Sequence, residues 1–332
     1  MSAMSEDLAA VIAHIRGAQR ITAICHESPD GDTLGAALAV ALVAERLGKQ
    51  AEVVAGDPIP PFLEFLPRVD RVRTEPHLEP DVAVIVDAGD LARTGSVARD
   101  HADWLARATL VNIDHHVSNP RFGAANLVDP SAAATCEIVA LMLPELGITL
   151  DAELATCLAA GLVQDTHTFA HPNATPRTLR VAADLVAAGA PLSAINRAIY
   201  ADKPYGTLRL WGLMLAGIQD AADGRIIHAS MTLAMLVETG NDASASEGFV
   251  DLMGLTRGAD VIVLFKEAEP NKIRVSVRTS DRADAVAITS QFGGGGHARA
   301  AGCTVEARLD EARARVLAAC ERELARGDAG GR

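Results

Sequence analysis

Four short segments of this sequence place histidines or aspartates directly after apolar runs. In chain order, these residues are His26, Asp30 and Asp32; Asp87; Asp114, His115 and His116; and Asp165. Taken singly, an aspartate after a strand is usually a helix cap or a turn residue, and a histidine there is usually solvated or hydrogen-bonded. A D-x-D with a histidine four residues before it, together with an adjacent histidine pair, is hard to obtain from packing alone. The joint pattern indicates one chemical site.

The elements that carry these segments indicate how the side chains could meet. The first half of the chain alternates short apolar runs with helical patterns, which predicts a doubly wound, mainly parallel α/β sheet. Strands are predicted at 20–25, 51–56, 81–89 and 108–114, and helices at 33–48, 133–146, 152–165 and 176–189. The carboxyl ends of parallel strands open onto one edge of the sheet, so residues that follow three of these strands should converge. Asp165 joins them if its helix points to the same edge.

Crowded carboxylates at one edge require compensating charge. At least five carboxylates and up to three imidazoles would meet there. Leaving so many carboxylates unpaired would be costly or would force some to protonate. Two divalent cations suit this ligand count better than one, since one carboxylate can bridge both. Ligands without thiolate favour Mn²⁺, with Mg²⁺, Co²⁺ or Zn²⁺ as alternatives, and such a metal pair commonly hydrolyses phosphate esters.

The same motifs resemble those of the DHH phosphoesterase superfamily. "HESPDGD", "VDAGD", "IDHH" and "VQDTHTF" are similar to its four motifs, and "VSVRTS" with "FGGGGHARAAG" is similar to its DHHA1 domain. The two-domain length is most similar to the nanoRNase and pAp phosphatase group (NrnA-type). RecJ-type exonucleases carry further domains, and the membrane-bound cyclic-dinucleotide phosphodiesterases carry transmembrane and sensor segments.

The resemblance implies a role for each residue at the predicted sheet edge. The implied ligands are His26 and Asp30 for the first ion, Asp32, His115 and Asp165 for the second, and Asp87 for both. His116 would contact the scissile phosphate or act as an acid. Asp114 would orient His115 or its loop from behind the ligands.

Two positions depart from the family pattern. Ala36 stands where the family often has serine, which we expect to affect helix packing and not ligation. The fourth motif is commonly D-T-G and is D-T-H here, so that His167 adds an imidazole close to the site. Contact with substrate and exposure to solvent both stay open for this side chain.

The second half of the chain predicts a smaller α/β domain. A helix is predicted at 205–221, and strands at 224–232, 259–268 and 272–280. We therefore expect a DHH catalytic domain at 1–190, a linker at 191–204 and a DHHA1 substrate-binding domain at 205–332. The active site is expected in the cleft between the domains, which would open and close across the linker.

The glycine run in "QFGGGGHARAAG" predicts a cradle for an anion. Four consecutive glycines do not suit an ordinary helix or strand, and they can turn backbone N–H groups toward a phosphate. "HARAAG" is predicted to begin a helix that faces the same anion; a flexible linker is the alternative. The candidate substrate-binding residues are Gly294, Gly295, Gly296, His297, Arg278 and Arg257. For Arg257, an ordinary surface position is an equal alternative.

Charge and cysteine content limit the class of protein. The net charge of −13 argues against binding to long nucleic acids, which depends on many basic contacts to phosphates. Five cysteines fit no closed disulfide framework. The N-terminal segment does not resemble a signal peptide, and the longest apolar run is too short to span a bilayer. A cytoplasmic protein with no membrane partner is therefore predicted; a homodimer is reasonable.

Taken together, the sequence predicts a metal-dependent phosphoric ester hydrolase. The expected substrates are short RNA or DNA oligonucleotides, linear dinucleotides such as pApA, and 3′-phosphoadenosine 5′-phosphate (pAp), with cyclic dinucleotides as further candidates. Alternative hypotheses are a RecJ-like single-strand exonuclease and a cyclic-dinucleotide phosphodiesterase. An inorganic pyrophosphatase and a non-catalytic nucleotide sensor are less favoured, because the first lacks the GGGGH signature and the second would not keep every candidate ligand.

Overall fold

A computed structural model describes residues 3–329, apart from the side chains of Ala3 and His297. The chain divides into two compact units, Met1–Asp202 and Lys203–Arg332. Each unit contains its own sheet. Their architecture is described separately.

The first unit is built on a five-stranded parallel sheet. Its strands are β1 (Arg20–Ile24), β2 (Gln50–Val54), β3 (Val82–Val86), β4 (Thr109–Asp114) and β5 (Ala125–Val128). The spatial order is β2-β1-β3-β4-β5, and all neighbouring strands are parallel. The predicted parallel sheet is confirmed, and β5 is an additional edge strand that the sequence patterns did not indicate.

Helices surround this sheet. They are α1 (Ala3–Gly17), α2 (Gly31–Arg46), α3 (Ser96–Asp100), α4 (Ala102–Leu105), α5 (Thr135–Leu146), α6 (Ala152–Asp165), α7 (Pro176–Ala187) and α8 (Leu192–Asn196). The β3 sequence VAVIV is buried throughout, as expected for a parallel strand covered on both faces. Most of α2 and α6 is buried in the same core because their small and aliphatic residues leave no polar face.

One glycine permits the close approach of α2 and α6. A Cβ atom on Gly161 would lie 2.3 Å from Oδ1 of Asp32 and 2.5 Å from Sγ of Cys136. A larger residue at this position in α6 would therefore displace the start of α2. The same contact brings Asp32 close to the end of α6, where Asp165 lies.

The stretch predicted as a linker is mostly helical. Within 191–204, α8 continues into a π-helical turn at Arg197–Ala201. Ile195 and Ile199 are buried in the core of the first unit. The stretch thus packs as part of that unit, and its two buried isoleucines, four residues apart, are the sequence signal for this packing.

The length and composition of the helices can be compared with those of membrane spans. Among the described residues, no single helix is long and apolar enough to cross a bilayer. Pro176–Ala187 and Leu192–Ala201 meet these criteria only as a pair, and the two helices are bent by 113°.

The second unit is a smaller α/β domain, as predicted. Its strands are β6 (Gln219–Ala221), β7 (Ile226–Met231), β8 (Val261–Glu269), β9 (Lys272–Thr279), β10 (Gly295–His297) and β11 (Ala300–Glu306). They form a mixed sheet in the order β10-β11-β9-β8-β7-β6, in which only β7 and β8 are parallel. Its helices are α9 (Tyr205–Ala216), α10 (Leu233–Thr239), α11 (Phe249–Met253), α12 (Ala285–Thr289) and α13 (Leu309–Ala329). The helix predicted over 205–221 is shorter, because the chain leaves it at Gly217 and enters β6.

The prediction of a helix after the glycine run was wrong. Gly295–His297 and Ala300–Glu306 instead form an antiparallel hairpin, with Gly296 opposite Ala301. Gly296 has φ +142°, and a Cβ atom on it would lie 2.6 Å from the Ala300 carbonyl oxygen. Close backbone packing therefore accounts for this glycine. A Cβ atom on Gly295 would meet nothing within 4 Å, so packing leaves that glycine unexplained.

We predict that Gly296→Ala destabilises the protein whereas Gly295→Ala does not. The first substitution introduces a clash with the backbone of β11 and a strained φ; the second places its methyl group in open space. A loss of about 1–3 kcal/mol in the free energy of unfolding is expected for Gly296→Ala. Urea denaturation of the two variants measures the difference, and equal stabilities would contradict the packing explanation.

Candidate metal-binding active site

The candidate ligands lie where the strands of the first sheet end. His26 follows β1, Asp87 directly follows β3, and Asp114 is the last residue of β4. Asp165 is the last residue of α6, and its carboxylate faces His115. His115 in turn faces Asp87, which also faces His26. All six predicted ligands are thus brought together, by the convergence that a parallel sheet imposes.

The first ligand group consists of His26, Asp30 and Asp87. Nε2 of His26 is 3.4 Å from Oδ2 of Asp87 and 3.7 Å from Oδ1 of Asp30. Nδ1 of His26 is 2.7 Å from the carbonyl oxygen of Glu27. A neutral imidazole donating from Nδ1 to that carbonyl turns the lone pair of Nε2 toward two carboxylates. This arrangement is favourable only when a cation lies between them.

The second ligand group consists of Asp32, His115 and Asp165. Nε2 of His115 is 3.4 Å from Oδ2 of Asp165, and the ligand atoms of the three residues lie within 4.8 Å of one another. Nδ1 of His115 faces the carbonyl oxygen of Ala132 at 3.4 Å. His115 therefore presents Nε2 to the carboxylates in the same way as His26.

Asp87 contacts the histidine of each ligand group. Its Oδ2 faces His26, and its Oδ1 lies 3.3 Å from Nε2 of His115. The residue has φ +56°, a left-handed conformation that is uncommon outside glycine. The hydroxyl of Thr135 donates to Oδ1 of Asp87 at 3.1 Å. Thr135 was not among the predicted site residues, because a lone threonine at the start of a helix carries no spacing signal.

The two aspartates of the D-x-D motif also cap helices. Asp30 accepts from the backbone N–H groups of Asp32 and Thr33 and so caps its own helix, α2. Asp32 instead accepts from the N–H groups of Thr135 and Cys136 at 2.6 and 2.8 Å. It thereby caps α5, whose own N-cap residue makes no side-chain bond. Capping and ligation are compatible here, since a carboxylate has several lone pairs.

Asp114 orients a different histidine from the one predicted. Its Oδ1 lies 2.7 Å from Nδ1 of His116, whereas His115 faces Ala132 on that side of its ring. Asn119 donates to the other carboxylate oxygen of Asp114 at 2.6 Å. Of the two predicted roles of Asp114, orienting His115 is corrected, because the carboxylate holds His116, whereas orienting the loop agrees with its contacts to His116 and Asn119. Asn119 is a second residue that sequence analysis missed.

The ionisation of the site reflects the crowding of buried carboxylates. Burial, with the nearby charge of Asp87, raises the pKa of Asp32 to about 7. Burial and the charges of Asp32 and Asp87 raise the pKa of Asp165 well above its usual range. Burial opposes ionisation of Asp87 too, but His115 and His26 hold its pKa below the usual value. Protons bound to Asp32 and Asp165 thus compensate negative charge that divalent cations would otherwise compensate.

The pKa values of the imidazoles are also raised, although burial acts on them in the opposite direction. Burial alone would lower the pKa of each histidine, but the hydrogen bond to Asp87 and the surrounding carboxylates outweigh it. The pKa of His26 rises to about 9 and that of His115 to about 11. The hydrogen bond to Asp114 likewise raises the pKa of His116.

These residues fit divalent cations. The donors are carboxylate oxygens and imidazole nitrogens, which suit Mn²⁺, Mg²⁺, Co²⁺ or Zn²⁺. The nearby thiol of Cys136 points its Sγ at the Asp32 carbonyl oxygen, 3.5 Å away, and burial raises its pKa well above the usual value. It therefore stays a thiol and supplies no thiolate ligand. That the six residues bind metal remains a prediction.

The predicted substrate-binding residues lie in the second unit. Arg278 is on β9, where its Nε donates to Oδ1 of Asp251 at 3.0 Å. Arg257 is exposed between α11 and β8. Gly295 and Gly296 lie in β10, directly after Gly294. The side chain of His297 is outside the part of the chain that the structure describes.

Comparisons with known proteins identify the class to which this fold and site belong. Residues 20–162 match the DHH family N-terminal domain, and residues 224–325 match the DHHA1 domain. The fold resembles that of an exopolyphosphatase-related protein from Bacteroides fragilis, with a TM-score of 0.90, 22% identity and 98% of each chain covered.

Two curated relatives share most of the length of the chain. The bifunctional oligoribonuclease and PAP phosphatase NrnA of Thermus thermophilus is 35% identical over 306 residues, covering 91% of this chain and 89% of the relative. The protein of the same name from Bacillus subtilis is 27% identical over 301 residues, covering 89% and 92%. The chain belongs to the DHH phosphoesterase family, among the NrnA proteins, which confirms the predicted membership.

We predict that the metal-free protein loses stability as the pH rises. The raised pKa values of Asp32 and Asp165 mean that the unfolded chain releases these protons first, so folding becomes less favourable above about pH 4. The stability contributed by His26 and His115 is present below about pH 6.5 and is lost as the pH passes their raised values. The melting temperature in chelator should therefore fall from about pH 5 to pH 9.

Asp165→Asn provides the matched control for this prediction. It keeps the shape of the side chain and removes one buried charge, so the decline of melting temperature with pH should become shallower. Adding Mn²⁺ should stabilise the wild type more at high pH than at low pH, because ligands must lose protons to bind. A wild-type melting temperature that does not change with pH would contradict the electrostatic interpretation.

Proposed function

We propose that this protein is a metal-dependent phosphoesterase that hydrolyses short oligonucleotides, linear dinucleotides such as pApA, and pAp to mononucleotides. The observation that carries the proposal is the presence of two ligand groups at the end of the parallel sheet, with Asp87 in contact with the histidine of each. The two NrnA relatives, which match the chain over most of their length, support this choice of substrates.

The residues of the site would divide the work of hydrolysis. His26, Asp30 and Asp87 would hold one ion, and Asp32, His115, Asp165 and Asp87 the other. Two divalent ions held by these residues would supply positive charge to the phosphate and lower the pKa of the attacking water. Two ions are favoured over one because each ligand group has a histidine of its own and Asp87 contacts both histidines. We propose Mn²⁺ as the ion, with Mg²⁺ and Co²⁺ as alternatives.

His116 is the proposed general acid. Asp114 accepts from Nδ1 of His116, which fixes the ring and favours its protonated form. The opposite nitrogen, Nε2, can then give a proton to the oxygen that leaves phosphorus. Asn119 completes the arrangement, since it occupies the second carboxylate oxygen of Asp114.

The second unit is proposed to hold the terminal phosphate or nucleotide of the substrate. Gly295 supports this role, because packing gives no reason for a glycine there. Arg278, His297 and the adjacent Gly294 and Gly296 complete the proposed set, and Arg257 is a weaker candidate. The net charge of −13 favours substrates of about two to five nucleotides, for which little electrostatic attraction along the strand is required.

The two alternative hydrolases, a pyrophosphatase and a RecJ-like exonuclease, are expected to differ from this chain outside the metal site. A pyrophosphatase would use a similar metal site but a different C-terminal domain, whereas residues 224–325 here match DHHA1. A RecJ-like exonuclease would be expected to process long strands. We keep the cytoplasm as the proposed location, in accord with five free cysteines among the described residues; a homodimer is a further proposal.

We predict that the purified protein with Mn²⁺ releases phosphate from pAp and mononucleotides from pApA and pGpG. Activity on a 24-nucleotide strand should be at least about tenfold lower in kcat/KM, because the net charge of −13 disfavours long strands. Activity on pyrophosphate should be lower by a similar factor, because residues 224–325 match DHHA1. Chromatography of the products gives these rates. Faster hydrolysis of the long strand would favour the exonuclease, and faster hydrolysis of pyrophosphate the pyrophosphatase.

Asp87→Asn separates catalysis from folding. Asparagine has the size of aspartate and tolerates the left-handed backbone at this position. We expect a loss of at least about 10³-fold in kcat, since the shared ligand is removed, with a circular dichroism spectrum unchanged from that of the wild type. Retention of activity by this variant would contradict the shared-ligand role.

A further inference from the structure

Three aromatic side chains lie together beside the end of α6; two of them stack and the third is tilted against them. The imidazoles of His167 and His171 are nearly parallel, with ring centroids 5.3 Å apart and an interplanar angle of 15°. The ring of Tyr200 lies 4.6 Å from His167 on a tilt of 58°. His167 is two residues from Asp165, so their Cα atoms are at most about 7 Å apart. The loop that carries the two histidines therefore begins directly after the second ligand group.

The loop that carries the two histidines is held by other residues. The hydroxyl of Thr168 donates to Oδ1 of Asn196 at 2.6 Å, and Phe169 packs against the core of the first unit. The hydroxyl of Tyr200 donates to the backbone carbonyl of Gln164 at 2.8 Å. These contacts fix the loop and the base of the stack. They leave the two imidazoles without a hydrogen bond to any other described residue.

The backbone at His167 is unfavourable for a side chain. Its φ is +47°, and the two following residues, Thr168 and Phe169, are also left-handed. Glycine would adopt this conformation without strain. A histidine here costs conformational energy, which favourable contacts of its ring must offset. One contact is with Tyr200, and the other supports the exposed ring of His171.

The exposed ring does not serve the fold. His171 is exposed to solvent, whereas His167 and Tyr200 are partly buried. One face of the His171 ring lies against His167, so a further planar group can stack on the other face. Among the described residues, the groups able to hold a metal include neither His167 nor His171. A planar ligand therefore suits this position better than a cation.

We propose that His171, supported by His167 and Tyr200, is a stacking platform for the nucleobase next to the phosphate that is cleaved. The proposal rests on the proposed function and adds to it a base-binding subsite in the first unit. Stacking on an aromatic face tolerates every base, because each has a π-surface. The subsite would therefore favour nucleotide substrates over other phosphate esters without selecting among bases.

A set of substitutions at the exposed position separates stacking from charge. His171→Ala removes the ring, His171→Phe supplies a ring without charge, and His171→Lys supplies a charge without a ring. The readout is the kcat/KM for pApA divided by that for an analogue with abasic sugars. The alanine and lysine variants should lower this ratio about 5- to 100-fold, and the phenylalanine variant should restore it. His77→Ala, at another exposed histidine, should leave the ratio unchanged.

A binding measurement tests the subsite independently of turnover. The fluorescence of 2-aminopurine riboside 5′-phosphate should be quenched by the wild type and by His171→Phe, but far less by His171→Ala. This result can be obtained even if no phosphoester is hydrolysed, in which case the proposed function fails and the subsite does not. An unchanged ratio and equal quenching in His171→Ala would overturn the platform. A ratio that lysine restores and phenylalanine does not would assign the position to phosphate binding instead.

Discussion

The structure of the first unit depends on how a buried excess of negative charge is compensated. Asp32, Asp87 and Asp165 converge where α2 begins and α6 ends. Burial there removes water that would otherwise stabilise their ionised forms. His26 and His115 supply the nearby positive charge when protonated. Divalent ions would replace those protons and allow every carboxylate to ionise. The same feature that makes the site costly without metal would thus favour metal binding.

The fold supplies this geometry through two constraints. A sheet of parallel strands delivers the residues after β1, β3 and β4 to one edge. The close contact of α2 with α6 at Gly161 brings Asp32 and Asp165 to the same edge from the helical layer. Asp32 also caps α5, so the start of that helix and the position of Thr135 are tied to a ligand. Folding and ligation therefore use the same contacts.

Much of the first unit could be predicted from the sequence, since short apolar runs that alternate with helical patterns indicate a parallel sheet directly. The convergence of residues at the strand ends was also predicted correctly, because it follows from the parallel sheet. The helical stretch that contains Ile195 and the hairpin at Gly296 were not predicted, because short helices and glycine-containing strands carry weak periodicity. Thr135 and Asn119 were missed because their roles come from contacts between distant segments.

The central claim is that the described ligands bind two divalent ions, and anomalous diffraction from crystals soaked in Mn²⁺ tests it most directly. The account predicts two manganese peaks. One should contact His26, Asp30 and Asp87, and the other Asp32, His115, Asp165 and Asp87. A single peak, or none within bonding distance of Asp87, would contradict the account.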